Sequence, residues 1–220
     1  MKTYNIASIP GDGIGKEVVP AGIKIGNAIA KKFGFQLKFH EFPWSCETYL
    51  KSGFMMPEGS LEKLKKFDSI YLGAIGWPTV PDHISLWGLL IPIRREFNQY
   101  VNCRPIRLLK GVTSPLANKN PMDIDFIIVR ENCEGEYSEI GGRMYAGTER
   151  EIVIQESIFT RTGTDRILRY AFELAQTRAG KLVSATKSNG IIHSMPFWDE
   201  RVNQIKNEYP DVSVEHFHID

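Results

Sequence analysis

Tyr4-Asn5-Ile6-Ala7-Ser8-Ile9-Pro10-Gly11-Asp12-Gly13, continued by Ile14-Gly15-Lys16 and the run to Phe33, decides the fold class of this chain. Tyr4 to Ile9 is a short apolar run closed by Pro-Gly-Asp-Gly, which reads as a strand entering a tight turn. From Gly15 to about Phe33 the residues Val18, Val19, Ile23, Ile25, Ala28 and Ile29 broadly follow helical spacing, and Gly34 suits the C-cap. Pro20 falls close to the helix start, where proline is tolerated best. Working outward, Leu37 to Phe42 alternates as a strand, and Glu58 to Lys66 reads as a short polar helix. Ser69 to Ile75 is a buried-looking strand. This β-α-β-α-β rhythm predicts a mainly parallel sheet covered by helices, and so an α/β fold.

A second unit opens near residue 100, dividing the chain into 1–100 and 101–220. Ile124 to Val129 is a compact apolar strand, and Ile152 to Phe159 is a β-prone segment that suits an extended arm within 138–160. Thr162 to Thr177 carries Ile167, Leu168, Tyr170, Ala171, Leu174 and Ala175 on a helical repeat, with Asp165 in its first turn. Leu182 to Thr186 is expected to be a strand and Pro196 to Tyr209 a helix. Val212 to Ile219 alternates in strand fashion. His216 and His218 share one face of that strand and read as packing or hydrogen-bonding residues.

The bulk properties exclude several classes of function. With 220 residues, 42% of them hydrophobic and 24% charged, the chain can bury a real core in one or two domains. A net charge of +1 gives no broad electrostatic case for nucleic-acid or membrane-surface binding. No apolar run approaches the roughly 18 residues of a membrane span. The start lacks the apolar core of a secretory signal. Cys46, Cys103 and Cys133 are odd in number and widely spaced, which suits free thiols in a reducing, cytoplasmic setting.

Three arginines carry the functional signal. Arg94, Arg104 and Arg130 come from segments that each look partly buried, with Tyr137 seven residues past the last. Guanidinium groups removed from water need anionic partners, and their rigid donor fork fits a carboxylate in bidentate fashion. Converging, the three would form a receptor for a small di- or tricarboxylate. The alternative is that each pairs with a local acid such as Glu96, Glu131 or Glu134.

Gly11-Asp12-Gly13-Ile14-Gly15 fails the dinucleotide fingerprint because its third glycine comes one residue early. The helix N-terminus behind it can still face an anion. Lys187, in Thr186-Lys187-Ser188-Asn189-Gly190, sits at the carboxyl end of a strand, where α/β sheets often bind ligands. It can serve as a base if desolvated or set beside other cations, and otherwise reads as a surface lysine. Tyr137 fits a core or a catalytic role. Asp220 is an oxygen-ligand candidate for Mg2+ or Mn2+, which usually need more than one carboxylate.

In this order the motifs resemble the β-decarboxylating dehydrogenase family, which includes isocitrate, isopropylmalate, homoisocitrate, tartrate and D-malate dehydrogenases. The resemblance runs from residue 4 to residue 220. Ile9-Pro10-Gly11-Asp12-Gly13-Ile14-Gly15 is similar to the family's opening turn, and Gly73-Ala74-Ile75-Gly76 to its cofactor-facing strand end. It implies that Arg94, Arg104 and Arg130 bind substrate carboxylates and that Tyr137 and Lys187 are catalytic. It also implies that Ile14, Ala74, Ile75 and Asn189 face the cofactor, and that Asp220 is the first metal ligand.

The implied fold is isopropylmalate dehydrogenase-like, with two α/β domains. The cofactor-side domain would be incomplete because family members continue past the position of Asp220. The second domain would serve substrate binding and dimerisation. The implied chemistry is NAD-dependent oxidation of a 2-hydroxy acid at C2, followed by metal-assisted loss of CO2. Lys187 would act as base through water, and Tyr137 would protonate C3. A homodimer is implied in which Lys187 and Asp220 serve the partner's site.

Ser85-Leu86-Trp87-Gly88-Leu89-Leu90-Ile91 should select the substrate. Gly88 and Leu90 offer no side-chain donor to a third carboxylate, which disfavours isocitrate. Leu90 with Ile91 suits an alkyl group, as in isopropylmalate enzymes, but Trp87 shrinks the pocket toward D-malate or tartrate. The runs 76–88 and 185–190 most resemble the D-malate/tartrate branch. The remaining expectation is a catalytically inactive fragment that only binds or dimerises.

Overall fold

The computed structural model describes residues 1–220, which divide into two units, Met1–Phe97 and Asn98–Asp220. In the first, strand β1 (Lys2–Gly11) leads through a turn into helix α1 (Gly15–Phe33) and strand β2 (Phe35–Glu41). Helices α2 (Cys46–Ser52) and α3 (Ser60–Leu64) precede strand β3 (Ser69–Ala74). Helix α4 (Asp82–Ser85), a π-helical turn (Leu86–Leu90) and helix α5 (Ile91–Glu96) complete the unit. The sheet order is β2-β1-β3 and both pairings are parallel, as the β-α-β-α-β rhythm predicts.

Central β1 is covered on both faces. Ala7 and Ile9 enter a core with Trp44, Cys46, Met55 and Leu64, while Ser8 turns to the opposite face and is also buried. Helix α1 meets the sheet through a different stripe from the one its large apolar residues suggest. Gly15, Val19 and Ala30 are buried, and Gly22 and Gly26 lie between them on the same face. A Cβ on Gly22 would overlap the Tyr71 hydroxyl, and one on Gly26 would stand 3.3 Å from Leu37. Small residues therefore let the helix lie close to the strands, and Val18, Ile25 and Ile29 are left exposed. Gly34 closes the helix at φ 76° by donating its N–H to Ala30. Pro20 sits inside the helix, beyond its first turn.

The second unit begins with an antiparallel ribbon of β4 (Val101–Arg107) and β5 (Asp125–Glu131). An arm follows, built from β6 (Gly141–Met144) and β7 (Ile152–Gln155), also antiparallel and exposed along both strands. Helix α6 (Arg161–Gln176) leads to β8 (Lys181–Thr186), and α7 (Ser194–Ile205) to β9 (Ser213–His218). Strands β8 and β9 are parallel, with Thr186 opposite His218. Leu168, Phe172, Ala175, Val202, Ile205 and Val212 form the core between α6, α7 and this pair.

One local expectation changes. Helix α6 starts at Arg161 with Thr160 as its cap, the hydroxyl accepting the Gly163 N–H at 3.0 Å. Asp165 therefore lies beyond the first turn, where it meets Arg201 instead of the helix dipole.

Candidate functional site

Ribbon β4–β5 brings two of the three arginines together. Asn102 pairs with Arg130 and Arg104 with Ile128, so the antiparallel register puts Asn102, Arg104, Arg130 and Asn132 on one face. Arg104 Nε donates to Asn102 Oδ1 at 2.9 Å, and Arg130 Nη2 donates to Asn132 Oδ1 at 3.0 Å. Asn102 Nδ2 reaches the same Asn132 oxygen at 3.4 Å, and Asn132 Nδ2 is anchored to the Gln99 carbonyl at 3.0 Å. Arg130 is half-buried, whereas Arg104 lies on an exposed stretch of β4, contrary to the buried look of its segment.

Local acids do not take up these two arginines. Glu131 accepts the N–H groups of Cys133 and Glu134 and pairs with Arg166. Glu134 accepts from the Thr160 amide and hydroxyl at 2.9 and 2.6 Å, and Glu96 pairs with Lys65. Asn102 and Asn132 were not singled out from sequence, although Asn102-Cys103-Arg104 and Arg130-Glu131-Asn132 are mirror-image patterns. In an antiparallel pair such patterns face each other.

The carboxyl ends of β8 and β9 gather a second set. Lys187 leaves β8 and Asp220 follows β9, and their side chains form an ion pair. The Lys187 ammonium holds the Asp220 carboxyl below its ordinary range, with a smaller contribution from the Asn189 side chain. Ser188 Oγ lies 3.4 Å from His218 Nε2, and His216 Nδ1 lies 4.0 Å from Asp199, so both histidines have polar neighbours. The structure thus gives Lys187 an anion as its neighbour instead of a cation, with its side chain 37% exposed. Tyr137 lies 43% exposed in the turn between β5 and β6.

In the first unit the glycine turn is organised by Asp12, a buried carboxylate that sequence reading passed over. It accepts from the Cys46 amide at 3.0 Å, the Glu47 amide at 3.4 Å and the Gly76 amide at 3.2 Å. The start of α2 and the exit from β3 are thereby tied to the end of β1. Gly11 lies so close to β3 that a Cβ would overlap the Ala74 carbonyl oxygen. Ile14 is 58% exposed at the turn, and Ala74 and Ile75 stand half-buried at the end of β3.

The first-turn amides of α1 are already engaged. Gly15, Lys16 and Glu17 donate to the Asp12, Gly13 and Ile14 carbonyls at 2.9, 3.2 and 3.0 Å. A cleft of about 330 Å³ beside this turn is lined by Pro10, Lys16, Glu41, Ser45, Glu47 and Lys51, with balanced charge.

The segment expected to select the substrate is helical. Leu90 is half-buried at the end of the π-helical turn, and Arg94 is half-buried on α5. The Arg95 guanidinium lies 4.9 Å from the centre of the Trp87 ring, a cation–π contact that holds the ring. Gly88 packs on buried Met55, whose side chain a Cβ would approach to 2.7 Å.

Metal-ligand chemistry is incomplete among the described residues. No group of three or more His, Cys, Asp and Glu side chains assembles for an ion, and the Asp220 carboxylate faces Lys187. These donors alone do not fit a Mg2+ or Mn2+ site, which needs more oxygen ligands.

Comparison with known proteins agrees with the fold. A family model described as isocitrate/isopropylmalate dehydrogenase matches residues 5–220. The D-malate dehydrogenase [decarboxylating] of Escherichia coli (strain K12) is 62% identical over 100% of this chain and 62% of its own length. The tartrate dehydrogenase/decarboxylase of Pseudomonas putida is 58% identical over 99% of this chain and 60% of its own length. Among solved structures, isocitrate dehydrogenase from Methylococcus capsulatus superposes with a TM-score of 0.82 at 26% identity, covering 99% of this chain and 61% of that one. The chain therefore spans about 60% of the length of the curated relatives it matches. With the match running through the arginine ribbon and the lysine strand end alike, the chain belongs to the isocitrate/isopropylmalate dehydrogenase family.

Proposed function

We propose that this chain carries the dicarboxylate-gripping part of an NAD-dependent enzyme that oxidatively decarboxylates D-malate, or tartrate. The observation that carries this reading is the pairing of Arg104 and Arg130 on one face of β4–β5, each held by a neutral amide oxygen. Guanidinium groups without protein carboxylates retain donors for a small dianion. High identity to proteins named for D-malate and tartrate supports the choice of substrate. The Trp87 ring fixed by Arg95 supports a small acid over isopropylmalate.

In this reading Arg94 and Leu90 are further substrate-binding candidates, carried by the family resemblance alone. Tyr137 delivers the proton to C3 after decarboxylation. Lys187, once released from Asp220 and with its own proton lost to solvent, accepts the hydroxyl proton through water as the neutral amine. NAD, when bound, would supply the hydride acceptor, and the family resemblance makes Ile14, Ala74, Ile75 and Asn189 the candidates to contact it. A divalent ion belongs to the same reading with Asp220 as one ligand, although one carboxylate among these residues does not make the site.

The functional assembly is a cytoplasmic homodimer in which Lys187 and Asp220 serve the partner's site. The exposed apolar residues of the arm, Met144, Ile152, Val153 and Ile154, support an assembled state, since an isolated two-stranded ribbon is marginal in water. No helix is long and apolar enough to cross a membrane.

Calorimetric titration of the chain with D-malate, alongside Arg104→Gln and Arg130→Gln, tests the reading. Binding that weakens about tenfold or more in each variant is expected, from the loss of charge-assisted hydrogen bonds. Unchanged binding in both variants would overturn it. NAD reduction in the same samples separates turnover from binding alone.

A further inference from the structure

Two cations facing the same way on neighbouring strands repel each other, and a protein commonly relieves this by placing a carboxylate between them. Here the space between Arg104 and Arg130 is bridged by two amides. Their orientation follows from their neighbours. Asn132 Nδ2 donates to the Gln99 carbonyl, so its oxygen faces Arg130 and Asn102. Asn102 Nδ2 donates to that oxygen, so its own oxygen faces Arg104. Donors and acceptors thus alternate along a single line from Arg104 to Gln99.

Nearby carboxylates are committed elsewhere. Glu131 alternates to the other face of β5 and pairs with Arg166. Asp125 is taken by Arg107 and Arg178 at 2.8 and 2.7 Å. Each guanidinium has five N–H donors. Arg104 gives Nε to the relay and Arg130 one Nη2 donor.

We propose that Asn102 and Asn132 are positioning residues, a neutral amide relay that sets the spacing of Arg104 and Arg130 and keeps protein carboxylates out of the space the substrate dianion fills. The proposal rests on the dicarboxylate reading for its ligand, but the relay itself is a property of the unliganded chain. Neutrality is its distinguishing feature. An aspartate at 102 keeps an acceptor for Arg104 Nε, yet it supplies internally the negative charge that the ligand would otherwise bring.

The test combines two readouts on the full chain. The Arg104 Nε–H resonance, identified by its loss in Arg104→Lys, is followed by hydrogen exchange in nitrogen-15 NMR spectra, and D-malate affinity is measured by calorimetry. Asn102→Ala should free the Nε–H and accelerate its exchange. Asn102→Asp should keep the Nε–H protected while weakening D-malate binding about tenfold or more, the effect of an internal carboxylate competing for the fork.

A merely structural asparagine predicts the reverse, because aspartate would satisfy the arginine equally well and leave affinity unchanged. Wild-type affinity in Asn102→Asp therefore overturns the relay, as does unaltered Nε–H exchange in Asn102→Ala. If the unmodified chain binds no D-malate, the dicarboxylate reading falls. The exchange of the Arg104 Nε–H in Asn102→Ala and Asn132→Ala then decides the relay by itself: acceleration sustains it, and no change removes it.

Discussion

Lys187 and Asp220 leave the carboxyl ends of neighbouring parallel strands, one and two residues beyond the Thr186–His218 pair, and close an ion pair across the gap. The ammonium lowers the Asp220 pKa from its ordinary value of 3.8. A carboxyl whose folded pKa is depressed adds stability above its unfolded pKa and loses it as pH falls through the folded value. Carbon-13 NMR titration of the Asp220 side chain should therefore give a midpoint below 3.8 in the folded chain. In Lys187→Ala that midpoint should rise. Equal midpoints in the two proteins would mean that the pair does not form in solution.

Asp12 is expected to hold three separated segments together. Its carboxylate caps the start of α2 through the Cys46 and Glu47 amides and restrains the β3 exit through Gly76. Asp12→Ala leaves these N–H groups without their acceptor and should cost about 2 kcal/mol or more, from a lost cap and buried unsatisfied donors. Asp12→Asn keeps one oxygen and should cost less. Amide exchange should accelerate at Cys46 and Gly76 in both variants, while exchange in the α6–α7 core stays unchanged.

Legibility in the sequence followed the range of the interactions. β1, α1, β2 and β3 were readable because buried strands and capped helices leave local patterns, as Gly34 does. The contact face of α1 was not. Periodicity weights large apolar side chains, whereas the sheet selects Gly15, Gly22 and Gly26 for close approach. Strand β4 carries Pro105, which argues against a strand interior but is tolerated on a two-stranded ribbon. The helices around residues 82–96 include a π-helical turn, which interrupts the regular helical repeat. The site divides in the same way. Arg104, Arg130, Lys187 and Asp220 were visible as residue types in order, but Asp12, Asn102 and Asn132 take their roles from register and long-range contacts.

The three cysteines should separate by reactivity. Burial pushes the Cys46 thiol up to about 11, with the Asp12 carboxylate adding to the effect. Burial likewise raises the Cys133 thiol, which lies beside Glu131. A raised thiol pKa favours the neutral, unreactive form at neutral pH, and the Cys46 thiolate forms only in strong alkali. Cys103 is exposed on β4. With a chromogenic disulfide reagent at pH 8, Cys103 should react first, Cys133 more slowly, and Cys46 only after denaturation. Prompt labelling of Cys46, read by peptide mass mapping, would contradict its burial beneath Asp12.

Arg201 and Asp165 supply the strongest stability test in the second unit. The Arg201 side chain is 7% exposed and that of Asp165 15%, and the fork closes with bonds of 2.6 and 2.9 Å. Gln204 accepts a further Arg201 N–H, so the guanidinium is satisfied along the seam between α6 and α7. Asp165→Ala leaves the Arg201 guanidinium stranded beside the core and should cost about 3–5 kcal/mol, whereas Arg201→Ala should cost less, because Arg161 and Arg169 still lie 3.7 and 3.9 Å from the Asp165 carboxylate. Replacing both, as Arg201→Met with Asp165→Leu, removes the desolvation penalty together with the attraction. The double variant should therefore recover most of that loss. Urea denaturation followed at Trp198, which packs against this core, measures all three. Single variants no less stable than the double would show that the pair acts as two independent surface charges and not as one buried unit.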